Sequence, residues 1–146
     1  MNYKKLGVIL GKIMVLEGVL MVAPLVVGLV YKESLIHILA FLIPIVVLFA
    51  LGLLLQTPKP ERNSLYQKEG FALTALVWII MTLFGAIPFV INGDIPNYVD
   101  ACFEMMSGFT TTGSSVITDI TAISHSTLFG EAFLIGSAVW VSLYLF

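Results

Sequence analysis

The residues best suited to chemistry stand together in Phe109-Thr-Thr-Thr-Gly-Ser-Ser115, an oxygen-rich stretch without a single charge. A monovalent cation gives up its hydration shell only for other oxygens, and a set of backbone carbonyls can replace that shell. Glycine lets the chain turn its carbonyls to one side without a steric penalty. The threonine and serine hydroxyls can tie such a strand to its surroundings. Taken alone, the same composition also describes an exposed Ser/Thr loop, so the elements around it decide. Other chemistry is poorly supplied. The single cysteine, Cys102, has no disulfide partner and no companion for a metal. His37 and His125 stand alone and read as interface residues. No Ser/His/Asp or Cys/His set is visible, so no enzymatic activity is expected.

The elements that must position this stretch are membrane helices. Of 146 residues, 59% are hydrophobic and 11% charged, against about 25% charged in ordinary soluble domains. Leu6 to Val30 is a first apolar run, interrupted by Lys12 and Glu17. It is too long for a secretory signal peptide and lacks a small-residue cleavage site. Leu35 to Leu55 is a second run with no charge, and Pro44 inside it predicts a kink. Phe71 to Ile91 is a third, closed by the turn signal Asn92-Gly93-Asp94. Each is long enough to cross about 30 Å of hydrocarbon as a helix. Residues 1–56 thus form an N-terminal pair of transmembrane helices, and 57–70, with two prolines and several charges, a cytoplasmic loop.

Asn97 to Gly108 predicts a short helix, too short to span, with Asn97 as N-cap and Asp100 in its first turn. A short helix followed by a Thr/Gly-rich extended stretch is what a re-entrant pore loop requires. Irregular backbone at membrane depth is tolerated only where it is buried in protein or lines water. The helix would aim its negative end toward an ion. Glu104, within this helix, is expected to support it rather than touch the ion. Glu17 could be a buried ion or proton site, or a satisfied interfacial charge near Lys12.

Orientation follows from the basic residues. Lys4, Lys5 and Lys12, then Lys59, Arg62 and Lys68, fall on one side, which makes the N-terminus cytoplasmic. The segment from Asn92 to Ser126 then lies outside, with Asp94, Asp100, Glu104 and Asp119 and no Lys or Arg. These acids read either as a vestibule that attracts cations or as solvated loop charges.

The run Asp100-Ala-Cys-Phe-Glu-Met-Met-Ser-Gly-Phe-Thr-Thr-Thr-Gly-Ser-Ser-Val-Ile117 resembles the first pore helix and filter of the Trk/Ktr/HKT potassium transporter superfamily. Lys68-Glu-Gly-Phe-Ala72 and Phe84-Gly-Ala-Ile-Pro-Phe89 are similar to the membrane helix preceding that loop, and the two helices before it match the extra N-terminal pair of the bacterial TrkH-type branch. The resemblance implies an all-α membrane protein in which residues 71–127 supply the first helix, pore helix and filter of one helix–pore loop–helix repeat, with the last helix incomplete. It implies that the backbone carbonyls of Thr111, Thr112 and Gly113 face K⁺, joined as ion-binding residues by Thr110 or Ser114. Gly113 would be the glycine that favours potassium over sodium. It further implies potassium uptake by a multi-pass protein of the bacterial inner membrane. The implied partners are the remaining repeats of a full-length subunit, a second copy in a homodimer, the lipid bilayer and a cytoplasmic nucleotide-binding regulatory subunit of the Trk A type. No Gly-x-Gly-x-x-Gly occurs in this chain, so any nucleotide would sit on the partner. No cofactor on this chain and no nucleic-acid partner are expected.

Past about residue 128 the pattern departs. Where the family has an aromatic-Arg-Ser start and a Trp-Ile-Gly-Gly-Met-Gly run, this chain reads Phe129-Gly-Glu-Ala-Phe-Leu-Ile-Gly-Ser-Ala-Val-Trp-Val141. Read from the last base of the Phe129 codon, synonymous choices permit Trp-Arg-Ser followed by that missing run. The expectation is a truncated or frameshifted reading frame, with 128–146 an apolar tail out of the native frame. The chain would then be a non-transporting product, or a small membrane helper.

Overall fold

A computed structural model describes residues 3–57, 67–118, 121 and 123–145, with the side chains of 67, 68 and 138–145 outside the description. Lys59 and Arg62 of the loop, and Asp119 of the outer acids, therefore lie outside the described residues. Seven helices account for nearly all of it: α1 (Tyr3–Leu20), α2 (Val22–Val30), α3 (Leu35–Gln56), α4 (Gln67–Gly85), α5 (Ile87–Asn92), α6 (Tyr98–Phe109) and α7 (His125–Leu145). Described residues include no strand.

Three spans are long and apolar enough to cross a membrane: Tyr3–Val30, Leu35–Gln56 and Glu69–Asn92. The first combines α1 and α2 across a turn at Met21. The amide of Met21 still donates to the Glu17 carbonyl at 2.9 Å, so the axis continues. Pro24, near the start of α2, lacks the amide that would continue the ladder. The third span combines α4 and α5, separated at Ala86, with Pro88 in the first turn of α5 where a missing amide costs nothing. Helix α3, 22 residues long, runs through Pro44 and measures about 33 Å at 1.5 Å per residue.

Two boundaries differ from the sequence reading. Helix α4 starts at Gln67, inside the stretch read as loop, with Glu69 in its first turn where the helix dipole favours an acid. Helix α7 starts at His125, three residues before the apolar run, because polar groups at its N-terminus are capped from two distant loops. Ser124 Oγ donates to Asp94 Oδ2 at 3.0 Å and its amide to Oδ1 at 3.3 Å. Both the hydroxyl and the amide of Ser126 donate to the Glu33 carboxylate.

Helix α1 packs chiefly on α3. A Cβ on Gly11 would lie 2.5 Å from the Gly52 carbonyl oxygen, and one on Gly52 2.8 Å from that of Gly11. Lipid supplies no hydrophobic drive between helices, so close backbone approach at small residues is what holds such a pair. The core continues through Met14, Met21, Phe41, Leu48, Leu73, Val77, Met81 and Phe89 to Ala101, Met105 and Phe109 of α6. Outward-facing Val26, Ile43, Val46, Leu53, Phe71 and Ile79 remain exposed. Apolar surface on this scale belongs against lipid or further protein. The chain is an all-helical membrane protein.

Candidate functional site

The loops around Glu33, Asp94 and Ser124 meet at one end of the molecule through the hydrogen bonds at the head of α7. Helix α6 starts at that end and descends. Its N-cap, Asn97, accepts the Val99 amide at 3.0 Å, and Asp100 stands in its first turn. The descent can be measured against neighbours. A Cβ on Gly108 would sit 2.2 Å from Ile135 Cδ1, so the lower end of α6 lies level with a residue ten positions into α7 (125 to 135). At 1.5 Å per residue that is about 15 Å down, half of a ~30 Å hydrocarbon core. Independent contacts agree. Thr82 of α4 reaches Met106 Sδ at 3.8 Å, and Phe109 meets Trp78 edge-on at 6.1 Å.

At its lower end α6 closes by a tight reversal. The Thr111 amide bonds the Gly108 carbonyl at 3.0 Å and the Thr112 amide the Ser107 carbonyl at 2.9 Å. This pair of bonds is the one that normally ends a helix on a left-handed glycine. Here Thr111 occupies that position, with φ +57, and its hydroxyl donates to the Thr110 carbonyl at 2.7 Å. Thr110 Oγ1 donates to the Met106 carbonyl at 2.8 Å and lies 2.8 Å from Thr112 Oγ1. The threonine hydroxyls thus fix the turn. Gly113 follows with φ +70, a conformation glycine adopts without penalty.

From Thr112 to Ile117 the chain has no regular secondary structure. It returns toward the upper end, where Val116, Ile117 and Thr118 line a cavity of about 550 Å³ with Asn92, Asp94 and His37. Among the described residues, the carbonyls of Thr111, Thr112, Gly113 and Ser114 accept no hydrogen bond, and these residues are exposed. Four adjacent carbonyls without partners at this depth form an oxygen-donor surface. The Thr110 carbonyl, by contrast, is taken by the Thr111 hydroxyl.

Glu104 positions the returning strand. It is 4% exposed, and its two carboxylate oxygens accept from Ser115 Oγ and the Val116 amide, each at 2.7 Å. Charge-assisted bonds of this kind are about twice as strong as neutral ones. The sequence reading has Glu104 support its own helix; its bonds instead hold the strand beyond Gly113.

The other sequence candidates separate. Glu17 is 1% exposed, and neither of its oxygens has a partner. Lys12 is exposed, so the interfacial pairing is not formed. Asp94 is spent on capping α7 and Glu104 is turned inward, which among the described outer acids leaves Asp100, lining the same outer cavity as His37. His37 Nδ1 lies 2.6 Å from Ser34 Oγ, and His125 stacks on Tyr31 at 4.7 Å. No metal cluster of three His, Cys, Asp or Glu occurs among the described residues. The role of Glu33 was invisible in the sequence, because its partner Ser126 stands 93 residues away.

Comparison with known proteins places this chain in a family. Residues 37–146 match the family model described as TrkH, cation transport protein, and the matched span continues through residues 128–146. An uncharacterized cation transporter of Methanocaldococcus jannaschii is 35% identical over 126 residues, covering 86% of this chain and 26% of the relative. The Trk system potassium uptake protein TrkH of Halomonas elongata is 32% identical over 123 residues, covering 83% and 25%. That of Escherichia coli K12 is 32% identical over 132 residues, covering 88% and 27%. The chain spans about a quarter of the length of these relatives. It belongs to the TrkH family of cation transport proteins, a transporter family and not an enzyme family.

Proposed function

We infer that this chain is the N-terminal part of a Trk-type pore subunit that takes up potassium across the bacterial inner membrane. Its N-terminus is cytoplasmic, and the carbonyls of Thr111, Thr112, Gly113 and Ser114 are its contribution to the selectivity filter. The observation that carries this reading is the row of unpartnered carbonyls about 15 Å below the end where α6 begins. Unsatisfied carbonyls at membrane depth are costly unless they meet water, protein or an ion. A dehydrated K⁺ supplies the missing partner, and the negative end of α6 adds a favourable field. Thr110 shapes the turn with its hydroxyl, and its carbonyl stands at the edge of the set.

One strand cannot surround an ion. The remaining donors come from further repeats of the subunit, which the relatives' greater length can hold. A homodimer and a cytoplasmic nucleotide-binding subunit complete the proposed assembly. Because one strand supplies only part of an ion's oxygen shell, a second reading is that these residues on their own are a non-transporting product or membrane helper. Expression in a potassium-starved host distinguishes the cases. The chain alone gives no growth rescue, whereas a full-length subunit carrying this segment does. Rescue by the 146 residues alone overturns the dependence on further repeats.

A further inference from the structure

On the side of the returning strand that faces α7 there is a second cavity, of about 380 Å³, lined by Glu104 and Ser107 of α6, Gly113 and Ser115 of the strand, and Glu131 and Ile135 of α7. It holds two carboxylates and no basic side chain; from Asn92 to Phe146 the sequence has no Lys or Arg. Ser107 is 6% exposed, and its hydroxyl is buried without a hydrogen-bond partner. The serine backbone is fully used, since its carbonyl accepts from Thr112 and Gly113, so the hydroxyl alone remains to be satisfied. Glu104 accepts one bond from the strand on each oxygen and faces the Glu131 side chain within hydrogen-bonding reach across the cavity.

We propose that this cavity binds a monovalent cation beside the filter strand, on the carboxylates of Glu104 and Glu131 and the hydroxyl of Ser107. Two carboxylates facing one cavity at membrane depth need a compensating positive charge. The donors are all oxygens and no third acid or histidine joins them, which suits a hard monovalent ion better than zinc or copper. An ion there lies against Gly113, Ser114 and Ser115, which line the same cavity, and through Glu104 it braces the strand. The site is that of the sequence with glutamate at position 131.

The test is infrared difference spectroscopy of the purified 146-residue chain in lipid nanodiscs, exchanging potassium chloride for choline chloride at constant ionic strength. A potassium-dependent shift of a carboxylate band is expected. It disappears in Glu131→Gln, persists in Asp100→Asn of the outer cavity, and requires about fivefold more potassium in Ser107→Ala. If Glu131→Gln does not yield a helical protein by circular dichroism, Glu131→Asp replaces it, with the shift retained at higher potassium. Identical spectra in potassium and choline overturn the proposal. So does a protonated-acid band lost in Glu131→Gln, which would mean that a proton balances the pair. A shift abolished by Asp100→Asn but not by Glu131→Gln places the ion in the outer cavity and overturns the side site.

Discussion

Substituting Gly113 with serine in the complete transporter isolates one physical term. A Cβ at this position meets nothing within 4 Å, while φ is +70. The substitution therefore introduces no clash within this chain, and its effect is conformational. An L-residue in the left-handed region costs roughly 1–2 kcal/mol, which lowers the population of the native strand conformation about 5- to 30-fold relative to its alternatives. The strand that orients the carbonyls of Thr111 to Ser114 then relaxes toward φ below zero. Selectivity for potassium over sodium should fall by a factor within that range, while protein abundance in the membrane stays near normal. The assay is rubidium uptake into potassium-starved cells with increasing sodium as competitor. Gly113→Ala should act like Gly113→Ser, because the cost belongs to the Cβ and not to the hydroxyl. A semisynthetic subunit with D-alanine, which favours positive φ, should keep wild-type selectivity. Unchanged sodium competition in both L-variants would refute the reasoning, as would equal loss with the D-residue.

Glu104→Ala removes the acceptor of two bonds at 2.7 Å and should destabilise the purified chain by about 1.5–3 kcal/mol per bond, measured by chemical denaturation in detergent. Glu104→Gln keeps one acceptor and should lose roughly half as much. Gly108→Ala drives a Cβ into Ile135, 2.2 Å from Cδ1. It should cost about 1–3 kcal/mol, with substantial recovery in the double variant with Ile135→Ala, and simple additivity would contradict the contact. Glu17→Met replaces a buried carboxyl without partners by an apolar side chain of similar length. It should raise stability by about 1–3 kcal/mol, and a loss of stability would mean that Glu17 has a partner in the native assembly.

Much of the architecture was legible because bilayer thickness imposes a length. Leu35 to Leu55 is a charge-free run that can only be a span, and α3 occupies Leu35–Gln56. Asn97, Pro96 and Asp100 announced the start of α6 through capping chemistry that acts within a few residues. What stayed hidden depends on distant partners. Helix α7 begins at His125 because Asp94 and Glu33 cap it, and no local signal at residues 124–126 reveals carboxylates 30 and 93 positions away. Among the outer acids the sequence set Glu104 apart as a support, but neither its bonds to the returning strand nor the commitment of Asp94 to a cap could be read there. The Thr-rich turn was legible in composition but not in detail, since a threonine at φ +57 stands where glycine is usual. Residues 128–146 pose a different problem. Codon overlap suggests a shifted frame, whereas the family match continues to residue 146. Resequencing the gene settles this: codons across 129–141 that forbid the overlapping motif would end the frameshift reading.

The account stands on Thr111 to Ser114 presenting their carbonyls to potassium at membrane depth. The most direct measurement is anomalous diffraction from crystals of the complete transporter grown with thallium in place of potassium. The account predicts an anomalous peak within coordination distance of these four carbonyls, on the pore side of the strand, that potassium displaces. Density confined to the outer cavity around Asp100 and His37, with none beside Gly113, would contradict it.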